Sequence, residues 1–364
     1  MKNIKLAFLC TILVSFFCVQ NIFSTGVVVK PITENQQKNE DDKDVRTKYK
    51  EFKDHHLKDL HSFKLFKYKK QESTVYVSFP LPIIIYTGGK LDVFMSSKFY
   101  DAKHKHTPYV TNGRRYWIDN HEHIKGETES GEKLKITDLS ITKNVVFIIL
   151  GMFIMLIVFI KMARSYKDNP IPSGAGRFFE PIVLYIRDDI ARPNIGEKHY
   201  KKYMSFLLTV FFFIWFVNLF GLTPLGSNVT NSIAVTASLA VLTYIITTFS
   251  ANKNYWGHIF WMPGVPTPMK IILAPIELLG TIIKPFSLMI RLYANMTAGH
   301  VVLMSILGLI FIFQNWLGGT LSFGLAFALA LLELLVCALQ AYIFTMLSAL
   351  YFGAAVEEHH DDEH

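Results

Sequence analysis

The sequence predicts an all-α polytopic membrane protein of about five passes, closing in a long, strongly tilted C-terminal helical hairpin and preceded by a small N-terminal β-rich external domain. Three observations carry that prediction. The chain of 364 residues is 51% hydrophobic yet 18% charged, too apolar for a soluble protein and too charged to lie wholly in lipid. The two characters are segregated: residues 30–143 are polar and charged, whereas 144–351 consist mostly of apolar runs with short basic breaks. One apolar stretch, Met269–Phe313, is about twice as long as a single upright crossing needs.

Taken in order, the chain opens on a secretory signal, residues 1–24. Met1-Lys-Asn-Ile-Lys5 is a basic n-region and Leu6–Val19 an apolar h-region, with Ser24 a candidate last residue. An uncleaved anchor would deliver the following residues across the membrane just as well. Residues 25–143 form the external domain. Thr74–Phe79 alternates at period two, Pro80–Tyr86 leads into a Thr-Gly-Gly turn, and Gly88–Met95 and Arg114–Asp119 read as further short strands. Ahead of them, Glu34–Asp59 is charged enough to be a tail or an exposed helix.

The membrane domain, 144–364, begins with Val145–Ile160, followed by Lys161, Arg164 and Lys167, which put that end in the cytoplasm. From Pro172 to about Arg192 the pattern changes. Phe178, Phe179, Ile182, Val183, Ile186 and Ile190 fall at helical spacing opposite Arg177, Glu180, Arg187 and Asp188, as in a helix lying on the inner leaflet. Two spans follow near Tyr203–Leu222 and Ser232–Phe249, joined by an uncharged loop and flanked inside by Lys198, Lys201, Lys202 and Lys253. Trp256 and Trp261 mark an interfacial loop. A helix over Met269–Phe313 would run roughly 65 Å at about 1.5 Å per residue, against a core of ~30 Å, so it must tilt strongly, break, or do both. After a turn at Gln314–Gly319, about Thr320–Val356 returns, completing a hairpin over 269–356.

That hairpin carries the chemistry. Arg291 stands within apolar sequence, where an arginine costs from about 3 to more than 10 kcal/mol and persists only beside water, protein or a partner charge. Glu277, Lys284 and Arg291 are seven apart, and at about 100° per residue each heptad drifts only some 20°, so they form one slowly winding stripe that Asn295 extends. His300, nine past Arg291, turns to roughly the opposite face, while Glu333 and Gln340 share a face of the return helix. Two surfaces result, one with Arg291 and one where His300 can meet Glu333. Arginine stays protonated and can hold a carboxylate ionised, whereas histidine and glutamate exchange protons once burial or pairing shifts them.

Arg291-Leu-Tyr-Ala-Asn-Met-Thr-Ala-Gly-His300, with Lys284-Pro285 before it and Leu339-Gln-Ala-Tyr-Ile-Phe344 on the last helix, resembles the subunit a family of F-type ATP synthases. The match is specific over Thr267–Phe352 and extends in layout from Asn144. It does not reach the external domain, which is longer than the family's usual external N-terminus; this extended, signal-bearing form resembles the versions of the Bacteroidetes group. The resemblance implies a non-catalytic, proton-conducting stator facing a ring of c subunits, with peripheral stalk b subunits, the remainder of the ATP synthase and the lipid bilayer as its other partners, and no cofactor. It implies that Arg291 is the essential arginine, which attracts the ring carboxylate and separates two offset half-channels. Asn295 and Gln340 match polar neighbours of that arginine, and Glu277 matches a carboxylate on an access route. His300 occupies a position that is glutamate in many bacterial members, and Glu333 one that is often histidine there, an exchange similar to that of mitochondrial relatives. Lys284 reads as structural or interfacial. The implied setting is a bacterial inner membrane, with the N-terminal domain periplasmic and the C-terminus cytoplasmic.

Other signals are weaker. The seven histidines of the external domain, His55, His56, His61, His104, His106, His121 and His123, match no zinc spacing. The tail His359–His364 reads as a solvated terminus. Three cysteines, two of them in the N-terminal apolar run, build no disulfide framework. The net charge of +8 does not argue for nucleic acid, because the basic residues of the second half sit at membrane edges. Thr230 or Asn231 either line water at an entry mouth or cap the helix beginning near Ser232. An ion-coupled transporter whose Arg291 binds an anionic substrate is the alternative reading; the absence of a repeat relating 203–249 to 269–353 disfavours it. An intramembrane enzyme or receptor ranks last, since no nucleophile–base pair occurs in the spans.

Overall fold

Among the described residues five helices are long and apolar enough to cross a membrane, and a β-rich segment precedes them. A computed structural model describes residues 59, 61–70, 73–99, 107–119, 123–168, 174, 176–223, 229–262, 265–312 and 316–357. The expected signal peptide, the charged stretch before Asp59, the tail from His359, and His55, His56, His104, His106 and His121 lie outside the described residues. The chain divides into two compact units, the β-rich residues up to Ile148 forming most of the first and the helices from Ile149 most of the second.

The first unit holds strands β1 (Ser62–Lys70), β2 (Ser73–Pro80), β3 (Pro82–Thr87), β4 (Lys90–Met95), β5 (Tyr109–Thr111), β6 (Arg114–Ile118), β7 (Ile124–Thr128) and β8 (Thr137–Asp138). β1 pairs with β2, while two three-stranded sheets run in the orders β4-β3-β8 and β5-β6-β7. β1 is lysine-rich and β7 and β8 hold few apolar residues, so only their partners reveal them as strands. The core takes one face of each three-stranded sheet: Ile83 and Ile85 from β3, Tyr116 and Ile118 from β6, Ile124 from β7, and Phe99. Phe94 closes it by ring contacts with Phe99, Tyr109 and Tyr116.

β4 also turns a carboxylate inward. Asp92 is buried and accepts hydrogen bonds from Tyr116 Oη (2.7 Å), Asn112 Nδ2 (2.7 Å) and Arg114 Nη1 (3.1 Å). Asn112 has φ +51° and precedes Gly113 at φ +71°, the backbone signature of a tight hairpin turn, so the β5–β6 turn aims the amide at Asp92. Burial pushes the Asp92 carboxyl up, but the three donors outweigh it and hold it below the ordinary carboxylate range. Burial, with Asp92 as acceptor, pushes the Tyr116 hydroxyl up to about 12. A carboxyl depressed on folding contributes stability above its unfolded value of about 3.9 and loses it as pH falls through the folded value. Asp92→Ala should destabilise this unit by about 1–3 kcal/mol, because the buried Tyr116 hydroxyl is left without its acceptor. Hydrogen exchange in β3, β4 and β6 of the full chain measures it, and wild-type protection should weaken below about pH 4.

The helices are α1 (Lys143–Asp168), α2 (Gly176–Tyr185), α3 (Arg192–Ile195), α4 (Tyr200–Gly221), α5 (Ile233–Ser250), α6 (Lys253–Phe260), α7 (Thr267–Ile312) and α8 (Trp316–Val356). Between α2 and α3 the chain makes a π-helical turn, Ile186–Ala191. It falls within the segment expected to be an interfacial helix from Pro172 to about Arg192, of which the described part is helical from Gly176, and the wider turn inserts a residue so that Ile186, Ile190, Ala191 and Ile195 all reach the core. On its outer side Asp188 accepts from Arg187 Nη2 (2.9 Å) and Arg192 Nη1 (2.7 Å).

α8 is the organising element of the second unit, packing on α4, α3, α5, the π turn and α6. Gly353 permits its contact with α3: a Cβ there would overlap the Asn194 carbonyl oxygen. Asn252 ties the C-terminal end down, its backbone N–H donating to Ala355 O (2.9 Å) and its Nδ2 to Val356 O (3.1 Å). α7 remains helical through Pro275 and Pro285. Its 46 residues run without a break and at about 1.5 Å per residue measure about 69 Å, more than twice the hydrocarbon core.

Candidate functional site

The faces of α7 decide which polar side chains meet. Leu288, Leu292, Met296 and His300, four apart, form a buried ridge. Arg291 and Asn295 lie exposed on another face, as does Lys284, and Glu277 is half-buried. On α8, Glu333, Cys337 and Gln340 are buried on one face. His300 and Glu333 come together: His300 is 1% exposed, Glu333 3%, and Nδ1 stands 3.4 Å from Oε1. Among the described residues, neither Glu333 oxygen nor His300 Nε2 has a hydrogen-bond partner. Gly299 allows the approach, since a Cβ there would stand 3.1 Å from Glu333 Oε1. A buried imidazole against a buried carboxyl is a pair that can hold one proton between two atoms or release it to water.

Arg291 is not part of that pair. Among the described residues no carboxylate forms an ion pair with it. It lies nine residues, about 13 Å along the axis, from His300 and fourteen, about 21 Å, from Glu277.

A second polar region lies towards the N-terminal end of α7. Thr243, Tyr244 and Thr247 of α5, Tyr255 of α6, Thr281 and Lys284 of α7, and Tyr351 of α8 line a small open pocket. Lys284 Nζ sits 5.8 Å from the Tyr351 ring centroid, a cation–π contact that gives this lysine a place in the pocket wall. Glu277, one turn before Thr281, is close enough to Tyr255 to act on it electrostatically. Sequence reasoning missed the threonines and tyrosines here. Thr243 and Thr247 each donate to a carbonyl of their own helix, Leu239 O and Thr243 O, so nothing in the pattern distinguishes them from ordinary helical threonines.

The loop after α4 contributes two further pairs. Thr230 Oγ1 donates to Asn218 Oδ1 (2.8 Å), both buried, and Thr297 of α7 donates to Asn231 Oδ1. Thr230 and Asn231 therefore tie the loop to α4 and α7. Neither caps the next helix, whose N-cap is Ser232 without a side-chain bond.

A family profile described as "ATP synthase A chain" matches residues 145–353, and one described as a domain of unknown function, DUF8433, matches residues 52–145. The chain is 43% identical over 235 residues to ATP synthase subunit a of Chloroherpeton thalassium, covering 62% of this chain and 70% of that protein. It is 44% identical over 236 residues to ATP synthase subunit a 2 of Chlorobaculum tepidum, covering 62% and 66%. To ATP synthase subunit a of Myxococcus xanthus it is 40% identical over 247 residues, covering 65% and 82%. The ATP synthase A chain profile spans the helices that carry both polar regions and the exposed arginine. The chain is a multi-pass membrane protein and belongs to the ATP synthase A chain family, the subunit a family of F-type ATP synthases.

Proposed function

We propose that this chain is the proton-conducting stator of an ATP synthase membrane sector, working against a ring of c subunits whose helices each carry a carboxylate. The supporting observation is Arg291: exposed on an apolar helix face, without a carboxylate partner among the described residues, and set along the axis between two polar regions. A cation so placed calls for a counter-charge from outside the chain. A transporter holding a small anion would instead turn its arginine into an internal cavity.

Counting passes from an external N-terminal domain puts the Glu277 end of α7 on the inner side and the His300–Glu333 pair on the outer side. A proton entering from outside is taken up by the pair and passed to an ionised ring carboxylate. The neutral carboxyl then rides through lipid until it reaches the pocket of Thr281, Lys284 and Tyr351, where Glu277 and water accept the proton. The ionised carboxylate next passes Arg291, which holds it ionised and denies protons a direct path. Asn295, on the same exposed face, offers an amide to that carboxylate, and Gln340 orders the buried face that holds Glu333. Nucleotide chemistry belongs to other subunits, the peripheral stalk b subunits hold this one still, and the setting is a bacterial inner membrane with the C-terminus cytoplasmic.

ATP-driven acidification of inverted membrane vesicles tests this reading, comparing intact Arg291 with its alanine variant. A companion variant addresses the path. Glu333→Gln keeps shape and polarity but cannot exchange a proton, so initial acidification should slow roughly tenfold or more with assembly unchanged. A wild-type rate would remove Glu333 from the route.

A further inference from the structure

The three-stranded sheet β4-β3-β8 is apolar on both faces. Its inner face builds the core of the first unit. On its outer face Leu91, Val93 and Met95 alternate outward from β4, and Tyr86 stands opposite Leu91 on β3. Leu139, just past β8, donates its backbone N–H to Ile84 O and so joins the row of Ile84 and Val93. These side chains are exposed, Val93 at 59% and Leu139 at 57%.

The two ends of this face differ. At one end the strands turn through Gly88 and Gly89 to the exposed Lys90. At the other, Pro82 pairs with Met95, Ile141 donates to Pro82 O, and Phe79, three residues before Pro82, is 63% exposed. That apolar end is where the chain enters the membrane: Ile141 is two residues from Lys143, the first residue of the first candidate span. Two residues of extended chain reach at most about 7 Å, within the polar interfacial layer of a bilayer. Lys98, exposed three residues after Met95, stands beside this end with a charge that suits lipid phosphate.

We infer that the outer face of β4-β3-β8 is a membrane-docking surface, with Val93, Met95 and Leu139 seated in the headgroup region of the leaflet that α1 enters and the Lys90 turn pointing away from it. Apolar side chains rimmed by lysine at the mouth of a span form an interfacial anchor. The surface fixes how the external unit stands on the bilayer, a role separate from proton conduction.

Labelling of the full chain in its assembled complex, reconstituted in liposomes containing anionic lipid, tests the inference. Val93→Cys, Met95→Cys and Lys90→Cys each carry an environment-sensitive fluorophore, with the unsubstituted chain as labelling background and ATP-driven acidification confirming intact complexes. Nitroxide attached near the lipid headgroup should quench the labels at 93 and 95 at least about threefold more than the label at 90, and aqueous iodide should show the reverse order. Iodide access at 93 and 95 equal to that at 90 would overturn the inference, leaving the face bare to water. Shielding of 93 and 95 from both quenchers would overturn it too, because a protein would then cover the face.

Discussion

Arg291→Ala is expected to reduce ATP-driven acidification to background while the complex still assembles. An exposed side chain with no carboxylate partner among the described residues contributes little to packing, so the variant should insert and accumulate normally. Its effect comes from charge. A guanidinium about 4 Å from a carboxylate, at an effective dielectric of 20, favours the ionised form by on the order of 4 kcal/mol, a bias of about a thousandfold. Without it a ring carboxyl has no reason to stay ionised between the two polar regions, and protons can pass from one to the other without rotation. ATP hydrolysis should then continue uncoupled, and a passive leak should appear in vesicles carrying a proton gradient. Arg291→Lys keeps the charge but loses the planar fork, so partial coupling at most is expected. Full acidification in the alanine variant at equal complex content would reject the stator reading.

Gly353→Ala should have the opposite character, a loss of protein rather than of coupling. The added methyl group would overlap the Asn194 carbonyl oxygen and stand 2.9 Å from its carbon. Overpacking usually costs about 1–3 kcal/mol because side chains change rotamer, but here the obstacle is backbone and cannot rotate away. Asn194 is also pinned, its Nδ2 donating to Ile190 O at 2.7 Å. Either α8 backs away from α3, opening the core around Phe344, Ala349 and Phe352, or the π turn unwinds. The amount of this subunit in membranes should fall several-fold, with a lowered unfolding temperature in detergent, while Ala354→Val on the exposed side stays within about 0.5 kcal/mol of wild type. Normal accumulation of the Gly353 variant would show that the helices separate more easily than their contact suggests.

The two substitutions also mark where sequence reasoning reaches and where it stops. Arg291 stands out because a charge in an apolar run is costly wherever the run ends up. The opposition of Arg291 and His300 follows from nine residues at 100° each, a local property of any regular helix, and the five long helices follow from runs of apolar residues. The strands at Thr74–Phe79 and Arg114–Asp119 are legible for the same reason, their alternation being visible without a partner. β1 and β8 are not, since they are strands only by virtue of β2 and β3.

Gly353 carries no such signal. Nothing local to Phe352-Gly-Ala354 announces that Asn194, more than 150 residues earlier, will occupy the space of a missing methyl group. The π turn was equally hidden: Ile186 and Ile190 fit a regular helix, and only the demand that Ile195 also reach the core selects the wider turn. Thr243, Thr281 and Tyr351 come from three helices with unremarkable local patterns, and their pocket exists only once α5, α7 and α8 are packed. The sequence by itself thus determined the spans, their order, and the angular placement of the charges on each helix, because hydrophobic transfer and helix periodicity act within a segment. Tertiary structure alone decided which faces meet: His300 against Glu333, the threonine and tyrosine pocket beside Lys284, and Arg291 left facing outward. Those outcomes depend on close packing between residues far apart in the chain, where a single methyl group or one inserted residue changes the result.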